Sequence, residues 1–295
     1  MPIVDSMQKP GFDERIVRYE QIHKVKDADY EALMKAIDAL AGEVIFEGCA
    51  GYADIAKHII EASDDFDIKP EIYILDESPV QIKRAQEELK ILPDDHILLG
   101  DIRKTGMSDE KFDKTIIKMG LHELPKLEQE KVFTEMYRIL KPGGKFITWE
   151  LSLNQDTQEI FQDVLRKKDE LSGFEALVKN RYFQRHDELT KMFEEAGFKD
   201  VQDEHNIRYV FNPKSRIEEL VSRDRVKMLK EKESLSVEDE QALHQLGQER
   251  VNALIEYTRE RVANLSEETK QKFEYKDLGD DIEMTFDKVI MSGQK

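Results

Sequence analysis

Apolar positions in the first half of the chain follow two alternating rhythms. Leu33, Ala36, Ile37 and Leu40 recur at helical spacing across Tyr30–Ala41, whereas Val44–Phe46 is a short unbroken apolar run. Ala53–Ala62 returns to the helical period, and Glu71–Leu75 (EIYIL) reads as a strand. Pro79–Lys90 reads as a helix that opens on a proline, which the first helical turn tolerates. His96–Leu99 and Lys114–Lys118 read as strands. Leu127–Leu140 reads as a helix, with Val132, Met136 and Ile139 on one stripe and Phe133, Tyr137 and Leu140 beside it. Lys141-Pro142-Gly143-Gly144 is expected to stop that helix, and Lys145–Leu151 (KFITWEL) to form the next strand.

Strands separated by helix-length segments make βαβ units, and hence a parallel sheet covered on both faces. The second half is richer in helix. Asp156–Val178 has helical spacing with a break near Ser172-Gly173, and Asp187–Ala196 is a helix ended by Gly197. Val201–Phe211 and Asp281–Met291 read as strands. Between them Pro213–Asp277 is charged and helical. There Ser236 and Asp239 form a capping pair, and Leu243, Val251, Leu254, Thr258, Val262 and Leu265 line one face. So long a helical excursion between two strands is the feature most particular to this chain.

Composition narrows the function classes. The 295 residues are 39% hydrophobic and 37% charged, a globular balance long enough to bury a core without staples. Cys49 is the single cysteine, which excludes a disulfide framework or a cysteine-rich zinc site and fits a reducing compartment. The net charge of −18 repels phosphate backbones, so nucleic acid is not expected as a partner. No run approaches the apolar length of a membrane span, the first residues lack the order of a signal peptide, and a cytoplasmic location is expected. The seven histidines show no metal-ligand spacing, so no metal is expected.

The chemistry gathers where strands end. Val44–Ala56 reads VIFEGCAGYADIA: a strand, the acid Glu47, small residues, then a helix. In open parallel sheets ligands bind just beyond the carboxyl ends of the strands. The second strand ends in Asp76-Glu77 (ILDESP), the third in Asp101-Ile102 (LLGDI), and the fourth in Met119-Gly120-Leu121-His122. A fifth strand follows RILKPGGKF. As an ordered set, over about Ala41–Phe198, these signals resemble the class I S-adenosylmethionine-dependent methyltransferases. Within that family the resemblance is greatest to small-molecule enzymes of the ubiquinone/menaquinone-biosynthesis and natural-product kinds.

The resemblance implies an α/β fold with a Rossmann-like, doubly wound seven-stranded sheet, an antiparallel final strand and a helical insertion before it. Residues 1–40 would be an N-terminal helical lid, 41–211 and 278–295 the methyltransferase domain, and 212–277 the insertion, serving as a substrate cap or a homodimer contact. S-adenosylmethionine would be the cofactor and S-adenosylhomocysteine the product, with the methyl group passing by in-line displacement to a small-molecule acceptor. Glu47, Gly48, Cys49 and Gly51 would meet the methionine end of the cofactor, Asp76 with Glu77 the ribose, Asp101 with Ile102 the adenine, and Met119 the same cleft. His122 would be a base at the mouth of the site, with Tyr19, Tyr182 and His186 as substrate contacts.

The first turn departs from the family's acid-x-Gly-x-Gly-x-Gly pattern: aligned on Glu47, Cys49 and Ala53 stand where glycines are common. That departure keeps two alternatives open, a partner protein on a degenerate cofactor-binding fold and a family member that uses the cofactor for chemistry other than methylation. Cys49 itself reads as a small packed residue rather than a nucleophile, since no activating base lies nearby in sequence.

Overall fold

A computed structural model describes residues 27–232 and 234–295. The described chain divides into two compact units. A sheet unit comprises 27–152, Gln184–Ile207 and Asp287–Lys295, and a helical unit comprises Leu153–Phe183 and Arg208–Phe286.

The sheet unit opens with helix α1 (Asp27–Ile37), whose Tyr30, Leu33, Ala36 and Ile37 are buried. Then β1 (Val44–Gly48), α2 (Asp54–Ala62), β2 (Glu71–Asp76), α3 (Pro79–Glu88), β3 (Ile97–Leu99), β4 (Phe112–Lys118), α4 (Lys126–Ile139) and β5 (Leu140–Leu151) alternate as the periodicity requires. After helices α5 (Gln155–Leu171) and α6 (Glu175–Asn180) come α7 (His186–Ala196) and β6 (Lys199–Phe211). The long excursion holds α8 (Ile217–Glu231), α9 (Val237–Ala263), α10 (Glu267–Lys272) and the two-residue strand β7 (Lys276–Asp277), and the chain closes on β8 (Ile282–Gln294).

The sheet order is β3-β2-β1-β4-β5-β8-β6, with β7 pairing β8. Strands β1 to β5 pair in parallel, and β8 runs antiparallel to β5. Seven strands in this order, the last antiparallel, with helices inserted before it, is the expected architecture. The order reverses at β1, where the chain passes from the β1–β3 half to β4, and that crevice is where such sheets bind ligands.

Local chemistry fixes the ends of the elements. Ser78 caps α3 by accepting the Gln81 N–H at 3.2 Å, with Pro79 at the first helical position. Asn154 and Thr157 form a capping box on α5. Ser236 and Asp239 do the same for α9, as the sequence indicates. Gly197 closes α7 at φ +103, a left-handed turn that glycine adopts without strain. Gly247, inside α9, is there for close approach: a Cβ would stand 2.6 Å from Ile217 of α8.

One boundary differs from expectation. Lys141-Pro142-Gly143-Gly144 does not form a stop followed by a separate strand; α4 ends at Ile139 and β5 begins at once with Leu140. The register jumps there, because Phe112 pairs Leu140 while Lys114 pairs Lys145, so the glycines bulge out of the ladder. Gly143 and Gly144 instead exchange backbone bonds with Lys295, each at 2.9 Å. Periodicity located the break in the helix but carried no information on this pairing between the two ends of the strand and the chain terminus.

Candidate active site

Four strand ends build the site, and the first turn is the tightest part. Cys49 and Ala53 both take left-handed backbone, at φ 53 and φ 57, and Gly51 lies between them at φ 55. The non-glycine residues therefore make the turn that glycines make elsewhere, at a cost of about 1–2 kcal/mol each. Gly48 cannot be replaced freely, since a Cβ would come within 2.2 Å of Ile102 Cδ1, so the turn rests on the apolar wall at the end of β3. Gly120 is equally confined, because its Cβ would lie 2.4 Å from Cys49 Cβ. At Gly51 an added Cβ would meet nothing within 4 Å, which leaves open space against this backbone.

The carboxylates hold that turn. Glu47, 3% exposed, accepts the Ala56 N–H at 2.8 Å and so braces the first turn of α2. Burial pushes its carboxyl up to about 8, against the opposing pull of the Ala56 hydrogen bond and the Lys118 charge. Asp76 accepts from Gly51 N at 2.8 Å and from Ser78 N at 2.9 Å, tying the first turn to the end of β2. Burial, then the charges of Asp76, Asp101 and Glu123, raise Glu77 above the ordinary carboxylate range. Burial and four carboxylates, Asp76, Glu77, Glu150 and Glu123, push the Cys49 thiol well up, so it stays protonated and packs as a small residue.

Asp101 is held differently. Its Oδ2 accepts from Arg103 Nη2 at 2.7 Å and its Oδ1 from Arg103 Nε at 2.8 Å, and Arg103 also donates to Glu128 at 2.6 Å. Burial would raise the Asp101 carboxyl, but the Arg103 hydrogen bonds and charge outweigh it and hold it below its usual range. Arg103, four residues past the end of β3, was not singled out in the sequence, although its i,i+2 spacing to Asp101 was visible.

Past β4, Met119 is left-handed at φ 53 and donates its N–H to Trp149 O at 2.8 Å. The short 3-10 turn Leu121–Glu123 follows and buries His122. Its Nδ1 lies 3.1 Å from Glu150 Oε2, and its Nε2 lies 3.7 Å from Glu123 Oε1. Glu150, fully buried, accepts the N–H groups of Gly120 and Leu121, each at 2.8 Å, on its other oxygen. With Glu150 as acceptor, Nδ1 carries the hydrogen, so in the neutral ring Nε2, on the Glu123 side, is the acceptor nitrogen.

Of the expected substrate contacts, Tyr19 lies outside the described residues. Tyr182, in the helical unit, accepts a hydrogen bond from Gln158 at 3.1 Å. His186 sits in an exposed pair with Asp203 of edge strand β6 at 3.0 Å. The cofactor-side residues Glu47, Gly48, Cys49, Gly51, Asp76, Glu77, Asp101, Ile102 and Met119, with His122, stand at the carboxyl ends of β1 to β4. Among the described residues no helix is long and apolar enough to cross a membrane.

The sequence profile of the ubiE/COQ5 methyltransferase family matches residues 15–209. A demethylmenaquinone methyltransferase of Geobacillus kaustophilus is 30% identical over 190 residues, which is 58% of this chain and 77% of that enzyme. The fold of the YcgJ protein of Bacillus subtilis covers 92% of this chain and 99% of that one, with a TM-score of 0.65 at 14% identity. Phosphoethanolamine N-methyltransferase 2 of Haemonchus contortus, solved with S-adenosyl-L-methionine, covers 94% of this chain and 56% of its own, with a TM-score of 0.50 at 16% identity.

The residues present fit that cofactor. Open space faces the left-handed turn at Gly51, and a crowd of carboxylates that raise one another's proton affinity favours a cationic ligand. Glu77 and Asp76 flank the crevice at β2, while Ile102 supplies an apolar wall. With the profile matched over more than half of the chain and the sheet order in place, the chain belongs to the ubiE/COQ5 methyltransferase family and is an S-adenosylmethionine-dependent methyltransferase.

Proposed function

We propose that this enzyme methylates a small molecule whose accepting atom must lose a proton, with His122 as the base. The observation that carries the reading is the buried His122–Glu150 pair. Glu150, pinned by two backbone N–H groups, holds the imidazole through Nδ1 and leaves Nε2 on the Glu123 side as the nitrogen that would take a proton. A proton taken at Nε2 stands within ion-pairing reach of Glu123. S-adenosylmethionine supplies an electrophilic methyl group on a sulfonium, open to in-line displacement. Glu47, the first turn and Asp76 orient the cofactor, and the buried strand ends exclude water from the line of transfer. Demethylmenaquinone is the acceptor to try first, because the relative at 30% identity is named for it.

The test is methyl transfer to reduced demethylmenaquinone and to a set of small phenols and carbon acids. His122→Asn and Glu150→Gln should each lower kcat by on the order of 10²-fold, with S-adenosylhomocysteine affinity unchanged. Full activity in His122→Asn would remove the base from the mechanism.

A further inference from the structure

Two buried glutamines are treated in opposite ways. Gln162, in the helical unit, donates from Nε2 to Arg181 O at 2.7 Å and accepts the Phe183 N–H on Oε1 at 3.0 Å, so both ends of its amide are used. Gln184 has no exposed surface, yet neither its Nε2 nor its Oε1 has a hydrogen-bond partner among the described residues. Taking an amide out of water costs stability unless its hydrogen bonds are remade, and folded proteins rarely leave both donor and acceptor open. Methionine, of similar length, would fill the position without that cost.

The place of Gln184 in the sheet unit ties it to the base. It directly precedes Arg185, the N-cap of α7. Glu188, in the first turn of that helix, accepts the Arg185 N–H at 3.0 Å on one oxygen and Lys126 Nζ at 2.5 Å on the other. Lys126 opens α4, four residues on from His122. Leu189 of α7 and Leu121, which precedes His122, lie in one buried cluster. The chain on both sides of His122 is thus fastened to the chain that follows Gln184. This rim lies past the ends of β4 and β5, whereas Glu47, Asp76 and Asp101 stand at the ends of β1 to β3.

We propose that the Gln184 carboxamide is the polar anchor of the acceptor subsite, holding a neutral phenol or enol hydroxyl of the molecule to be methylated. The assignment rests on the acceptor reading above and adds to it a residue that binds the substrate on the side of the base. A carboxamide presents an N–H donor and a C=O acceptor side by side and carries no charge. A carboxylate ligand would set its charge against the carbonyl, and an ammonium would leave the N–H group open; a hydroxyl both donates and accepts. A site built to bond such a hydroxyl rejects an analogue that lacks it, because the buried amide then stays unpaired.

The full chain is compared with Gln184→Met and Gln184→Leu in two measurements. In scanning calorimetry without ligand, Gln184→Met should raise Tm by about 2–4 °C, since a cost is removed and no hydrogen bond is lost. A fall in Tm would show the amide already satisfied inside the fold and would overturn the assignment. Methyl transfer is then followed with reduced demethylmenaquinone, catechol and acetylacetone as acceptors. For each one that the unaltered chain methylates, both variants should raise the acceptor KM at least tenfold and leave the S-adenosylmethionine KM within twofold. An unchanged acceptor KM, or an equal rise in both KM values, overturns the anchor alone and leaves the acceptor reading standing. Transfer to none of the three by the unaltered chain overturns the acceptor reading and the anchor with it.

Discussion

In the helical unit, Asp169 has no exposed surface and is enclosed by cations: Arg181 at 2.8 Å and Lys168 at 3.0 Å. Lys168 also donates to Glu219, and Arg216 to Tyr209. In the sheet unit, the buried carboxylates at the strand ends are instead set against one another. Glu77 is raised by burial and then by Asp76, Asp101 and Glu123, and Glu47 is raised by burial to about 8. Both regions bury charge, but at the strand ends several acids also raise one another. Burying a charge costs several kcal/mol unless it is paired, so the ion pairs around Asp169 hold the helical unit together, while acids that raise one another favour a cation near them. Asp101, gripped by Arg103, is the strand-end carboxylate that behaves like the helical unit's acids.

The contrast can be broken in order of expected effect. Asp169→Ala should destabilise by about 3–5 kcal/mol, because it takes the fully buried carboxylate from between Arg181 and Lys168, and a large fall in Tm by calorimetry is the check. Glu77→Gln should do the reverse, removing a repelled carboxylate: Tm rises slightly in the unliganded chain while S-adenosylmethionine binding weakens about tenfold. Tm profiles should then separate Glu47 from the rest. Folded, its carboxyl holds a proton up to about 8, whereas the unfolded group releases it near 4.5. The folded chain thus binds more protons between those values, so stability is fully present below 4.5, falls as pH rises, and is lost by about 8. Glu47→Gln should flatten that slope, and an unchanged slope would show that Glu47 stays ionised. The smallest effect is local: Ala53→Gly relieves a left-handed alanine and should raise stability by about 0.5–1 kcal/mol, read as a rise of a degree or two in Tm.

Much of this fold was legible along the chain, for reasons that are local. Helical and strand periods, the Pro79 entry, the Ser236–Asp239 cap and the Gly197 stop each depend on a few neighbouring residues, and each stands where the pattern placed it. The altered first turn was legible as a departure but not in its outcome. Small residues at 49 and 53 signalled a tight turn; that both adopt left-handed backbone, with Gly48 against Ile102 and Gly120 against Cys49, is set by the packed strand ends and not by either residue alone. His186 illustrates the opposite limit, since its place before a helix suggested substrate while Asp203, seventeen residues on, engages it at the surface.

The sequence by itself determined the order of strands and helices, the acids at the ends of the strands and the family, because these are properties of short segments read in series. Tertiary structure decided that Arg103 grips Asp101, that Glu150 engages His122, and that Glu47 braces the first turn of α2. Burial, charge pairing and strand register are sums over elements far apart in the chain, and no local pattern carries them.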